Sequence, residues 1–310
     1  MKLIFKIIVS VVLITILLWN VDFAKVFEHL KSYSVFTILL AFFLLTIQFP
    51  VSVIKWNQSL HVHNLSYPFF YLQKVLCIGF FFNNFLPTSI GGDAYRAIKT
   101  MPKEGYKSTA VSAIFIERLI GFAALVGLGF LGAIYVATQN SNEIASAYIY
   151  LCLLGGVGVI GFFLLSKLAL FNHYYAKLKA IKKLDMLFHN IDLVISSPKL
   201  LVKIALLSVM FQVIAVFAIV VLFNTSFSFD LFAKCALLAA AVGLAGLLPI
   251  SINGIGVMEG AFAMTAVQLG MDFDQAIVIA FIQRALVIPL SLICGVIYAL
   301  DSDKKDELKS

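Results

Sequence analysis

Uninterrupted apolar runs of membrane-crossing length decide what this chain can become. Residues 35–54, VFTILLAFFLLTIQFPVSVI, carry no formal charge, and about 20 such residues as a helix cross a hydrocarbon core of about 30 Å. Comparable stretches near 3–19, 109–137, 144–166, 200–223, 231–250 and 276–300 predict six more spans. Two shorter or more mixed stretches, 67–86 and 255–270, read as half-helices, re-entrant hairpins or full spans. Charged residues make up 13% of the chain, about half of the ~25% usual in soluble domains. A mean hydropathy of +1.01 agrees. The expected fold is therefore all-α: a polytopic helical membrane protein with seven to nine membrane segments, some of them interrupted or re-entrant. Residues 1–300 form a single integral membrane domain, and 301–310 a short polar tail.

The first run follows Lys2 and Lys6, but NVDFAKVFEHL after it has no small-residue cleavage pattern, so it reads as a retained anchor. Loops rich in Lys and Arg favour the cytoplasm. Residues 92–109 hold Arg96, Lys99, Lys103 and Lys107, and 167–203 hold seven lysines, whereas TQNSNE and NTSFSFD hold none. The basic pair is expected inside, with the N-terminus. Within 171–196, Tyr174, Leu178, Ile181, Leu184, Phe188, Ile191 and Ile195 recur at helical steps between lysines. That pattern predicts an amphipathic helix in the headgroup layer, or a solvated loop. Cys77, Cys152, Cys235 and Cys294 all stand in apolar segments and read as core residues, while HVH at 61–63 lacks the companions a metal needs.

Two polar interruptions resemble each other. LPTSIGG at 86–92 matches LPISING at 248–254 in five of seven positions, pairing Pro87 with Pro249 and Gly92 with Gly254. Each is followed by a second match, FIERLI at 115–120 and FIQRAL at 281–286. Arg118 lies 31 residues after Pro87, and Arg284 lies 35 after Pro249, a difference of about one helical turn. The two motif regions, 86–120 and 248–286, suggest an internal duplication; two apolar helices ended by proline and glycine are the simpler reading. Pro87, Gly91, Gly92, Pro249, Asn253, Gly254 and Gly256 supply the broken-helix backbone, tolerated at membrane depth only where protein or a water-filled cavity surrounds it. Restarted helices offer amides to a phosphate, although Asp93 can cap the first restart and repel an anion, leaving Arg96 as the phosphate contact.

Glu117 and Arg118 fall eight or nine residues into an apolar span, at roughly 2.5–3.5 kcal/mol per charge on insertion scales. Neighbours on a helix do not face each other, so each needs a partner elsewhere. The other deep ionisable groups are Glu259 and Arg284, with Asp93 and Arg96 at a broken end. The expectation is that Glu117 pairs with one arginine and Glu259 with another, leaving guanidinium donors for a lipid phosphate in a central cavity. A buried ion network that only orients helices is the alternative.

The segments NNFLPTSIGGDAYRA, ERLIGFAAL, LPISINGIGVMEGAF and QRAL together resemble the flippase-like membrane domain of lysylphosphatidylglycerol synthases and stand-alone relatives. The resemblance spans nearly the whole chain. It implies a lipid-translocating or lipid-binding protein of the plasma membrane, with Asp93, Arg96, Glu117, Arg118, Glu259 and Arg284 on matching motif positions. The second motif departs from the more usual proline-glycine form in having Asn253 before Gly254. After Leu300 only DSDKKDELKS remains, so the aminoacyl-transferase domain of the two-domain relatives is not expected here, nor is catalysis of that kind. Expected partners are membrane phospholipids or isoprenyl-phosphate lipids, not nucleic acid, and no cofactor or metal is called for. A transferase acting on a lipid-linked donor, with Glu117 or Glu259 as base, and a scaffold for a lipid-modifying enzyme remain open.

Overall fold

Polar residues between the apolar runs set the helix ends. In the computed structural model the described residues are 2–19, 21–62, 65–85, 91–101, 108–139, 142–166 and 197–306. After α1 (Lys2–Trp19), Asp22 accepts hydrogen bonds from the amides of Ala24 and Lys25 and opens α2 (Phe23–Ser32). Ser34 accepts from Thr37 N and opens α3 (Val35–His61). Such caps satisfy amides that a helix start leaves without partners. There follow α4 (Phe69–Phe85), the short α5 (Gly91–Lys99), α6 (Ser108–Gln139) and α7 (Glu143–Ser166). The last third comprises α8 (Pro198–Leu222), α9 (Phe229–Gly246), a single 3-10 turn at Ile252–Gly254, α10 (Val257–Gln268) and α11 (Phe273–Asp306). Among the described residues the protein is all-helical.

Among the described residues five helices, α3, α6, α8, α9 and α11, have the length and apolarity to cross a membrane, and α1 with α2 makes six if that pair, bent by 89°, is one span. The 17 residues of α4 and 12 of α10 are shorter, as the mixed stretches near 67–86 and 255–270 led one to expect. The amphipathic segment at 171–196, like Pro87 and His63, lies outside the described residues.

Two large apolar cores, beside a smaller cluster of Val21, Ala263 and Ile277, hold the described helices together. One gathers Val216 of α8, Leu237 of α9 and Ile279 of α11 with Ala133 of α6. The other gathers Val53 and Trp56 of α3, Leu72 and Val75 of α4, Ala113 of α6 and Cys294 of α11. The second core borders the charged residues. There α4 and α5 approach so closely that a Cβ on Gly92 would run into the carbonyl oxygen of Gly79.

Candidate functional site

The tight α4–α5 contact aims α5 at the middle of α6. Gly92 N donates to Asn83 Oδ1 at 2.8 Å, closing the end of α4 onto the start of α5. Arg96, one turn along α5, then reaches Glu117: its Nη2 donates to Glu117 Oε2 at 2.5 Å. Its Nη1 contacts Asp93 Oδ1 at 3.4 Å, and its guanidinium carbon lies 4.1 Å from the ring centre of Trp56. Stacking and forked hydrogen bonding together are arginine properties that lysine lacks.

The second Glu117 oxygen is also used. Glu117 Oε1 accepts from Ser52 Oγ at 3.3 Å and faces Lys55 Nζ at 3.4 Å. The Lys55, Arg96 and Glu117 side chains are each no more than 7% exposed. Arg118, next in sequence, turns away as helix geometry requires: its Nε meets Asp93 Oδ2 at 2.5 Å, and the side chain is 54% exposed. Three cations, Lys55, Arg96 and Arg118, thus face two carboxylates, Asp93 and Glu117, and one positive charge is left over.

This cluster opens on a cavity of about 620 Å³. Lys55, Arg96, Glu117, Arg118, Gln48, Asn83 and Gln212 supply its polar wall, and Phe49, Phe80, Phe122, Phe211 and Leu290 its apolar one. The Arg96 Nε–H has no hydrogen-bond partner although it is buried. An unpaired buried donor costs free energy that a bound acceptor would return.

The second broken region is built differently. After α9 the chain passes Pro249 and takes three residues through positive φ, Asn253 (49°), Gly254 (70°) and Gly256 (83°). Glycine enters that region without steric cost, and asparagine is among the side chains that best tolerate it. Asn253 Nδ2 donates to Asn84 O at 2.9 Å, tying this turn to the end of α4. Glu259, in the first turn of α10, accepts from Gly256 N at 2.7 Å and from Arg284 Nε at 2.7 Å. Arg284 Nη1 lies 3.4 Å from Asn253 O. A pocket of about 150 Å³ beside this pair is lined by Met258, Glu259, Gln283 and Arg284, and Val287 belongs to both it and the larger cavity.

The structure therefore pairs Glu117 with Arg96 and Glu259 with Arg284. One amide at each restart is already taken, Gly92 N by Asn83 and Gly256 N by Glu259. Asp93, in the first turn of α5, holds the two arginines. Lys55, Trp56 and Ser52 were not anticipated. The available signal was Lys55 itself, a lone cation five residues past Pro50 in an apolar run.

Several helices of membrane-crossing length and apolarity, with ion pairs grouped beside a cavity that has one charged and one apolar wall, define a helical integral membrane protein. Comparison with known sequences makes this specific. The chain belongs to the family of the lysylphosphatidylglycerol synthase TM region, which matches residues 3–295. It is also similar to the UPF0104 membrane protein PH1989 of Pyrococcus horikoshii, with 26% identity over 145 residues. That match covers 46% of this chain and 43% of the relative, less than half of either.

Proposed function

We propose that this protein binds a phosphate-bearing lipid in the charged cavity and moves it between the leaflets of the plasma membrane, with its own N-terminus cytoplasmic. The observation that carries the reading is Arg96: a buried guanidinium with an unpaired N–H, on the wall of a cavity of about 620 Å³ and within an ion cluster, Asp93 included, whose charges sum to one positive. A phosphodiester carries one negative charge and offers acceptors to such a donor. Family membership in a lipid-related membrane region supports the same reading. So does the shared plan of the two motif regions, an acid at a restarted helix paired with an arginine of the next long helix, which fits a duplicated transporter with seven to nine segments.

The test is leaflet exchange of labelled phosphatidylglycerol, lysyl-phosphatidylglycerol and an isoprenyl phosphate in liposomes holding the purified protein. Exchange above empty vesicles is expected for at least one lipid, falling about tenfold or more in Arg118→Ala, a loss of about 1.4 kcal/mol per factor of ten. Arg118 is half exposed and reaches the Glu117 network only through Asp93, so the variant is expected to keep its fold, which unfolding in micelles checks. Exchange no faster than in empty vesicles for every lipid sinks the reading; headgroup turnover in the same vesicles would replace it with a transferase.

A further inference from the structure

Beside the charged cavity lies a groove of about 360 Å³ between α3, α4 and α11, walled by Phe43, Ile47, Pro50, Cys77, Ile293 and Ile297. Phe49 and Leu290 line both spaces and are buried, so the groove and the cavity that holds Arg96 and Lys55 lie on either side of these two side chains. Of its polar side chains, Thr46 Oγ1 donates to Phe42 O at 2.8 Å and Gln73 Nε2 reaches Cys77 Sγ at 3.8 Å, while Gln73 Oε1 is buried without a hydrogen-bond partner. The groove marks a seam, since α3 and α11 each pack on α4 but hardly touch each other. Each of these two helices carries a proline at this level, Pro50 in the groove wall and Pro289 next to Leu290. A proline removes one rung of the helical hydrogen-bond ladder and makes bending there less costly.

We infer that this groove is the lateral portal of the site, occupied by a hydrocarbon chain of the same lipid whose phosphate lies against Arg96 and Lys55. The inference rests on the proposed function and adds where the tail leaves the protein. A charged headgroup cannot sit in the cavity unless its attached chain has an apolar exit. This groove adjoins the cavity across Phe49 and Leu290, is mostly apolar, and becomes that exit when these two side chains swing aside. Opening the seam by bending α3 at Pro50 and α11 at Pro289 lets the chain stay in the bilayer while the headgroup moves.

The test uses phosphatidylglycerol with a diazirine in mid-chain, reconstituted with the full protein. Crosslinks are expected within residues 43–50, 73–77 and 290–297, reduced by excess unlabelled phosphatidylglycerol but not by diacylglycerol. Ile293→Trp, which fills the groove, should cut both crosslinking and exchange at least fivefold. Leu292→Trp, half exposed on the same helix and outside the groove, should change neither. Binding of glycerophosphoglycerol, which has no chains, should survive Ile293→Trp and show that the variant is folded. Crosslinks spread evenly over the apolar surface, or equal competition by diacylglycerol, mean that bulk lipid fills the groove and overturn the portal even where exchange persists. Absence of both exchange and glycerophosphoglycerol binding in the unaltered protein removes the proposed function and the portal with it.

Discussion

FIERLI in α6 and FIQRAL in α11 put Glu117 and Gln283 at corresponding places, each just before an arginine that pairs with the acid of a restarted helix. Around Glu117 stand Arg96, Lys55 and Ser52, brought in by α5 and α3. Near Gln283 the cation is Arg284, already held by Glu259, and the buried Gln283 Nε2 has no partner. The carboxylate appears where cations from two other helices meet it, and the neutral amide where they do not. The difference teaches that α6 carries its buried acid because α3 and α5 supply the countercharge; without them the desolvation cost would exceed any local gain.

The comparison breaks most severely at Arg96. Arg96→Ala leaves Glu117 buried against Lys55 alone and should destabilise the protein by about 3–5 kcal/mol, the usual cost of removing one partner of a buried pair. Chemical unfolding in mixed micelles measures it. Glu117→Gln gives α6 the residue found in α11. It should cost about 1.5–3 kcal/mol, because the amide oxygen still accepts from Arg96 while Lys55 loses its counter-ion, and adding Lys55→Met should restore part of the loss. A neutral Glu117→Gln would refute the countercharge argument.

Smaller effects sharpen the contrast. Gly92→Ala drives a methyl group into the Gly79 carbonyl and the Asn83 side chain, an overpacking cost of about 1–3 kcal/mol, read by the same unfolding. It should also weaken exchange by shifting α5 and Arg96. Gln283→Leu should change stability by less than about 1 kcal/mol, since it removes a buried amide donor that has no partner. A large loss there would mean that Gln283 has a role like that of Glu117.

The helical membrane class was legible because apolar runs of this length have few other solutions. That Glu259 pairs with an arginine was legible too, since few ionisable residues lie deep in that part of the chain, whereas the choice of Arg284 came from the structure. Lys55 and Trp56 were not, because their role depends on where α3 crosses α5 and α6, a matter of packing that no local pattern encodes. The fate of the restart amides was hidden for a related reason. Asn83 precedes Gly92 by nine residues, and only the close approach of α4 and α5, permitted by two glycines, turns its side chain into a cap.

The second broken region leans on the beginning of the chain. Ile252 N donates to Ser10 Oγ at 3.2 Å, 242 residues away, and a Cβ on Gly256 would lie 2.8 Å from Leu13 Cβ. At synthesis rates of about 5–20 residues per second, α1 is threaded into the bilayer roughly 10–50 s before the turn it supports exists. During that interval its exposed Ser10 face must find temporary neighbours among lipids, an insertase or the earlier helices. The Glu259–Arg284 region thus matures after the Arg96–Glu117 one, and mutations in α1 such as Ser10→Leu should slow its maturation without disturbing Arg96 and Glu117.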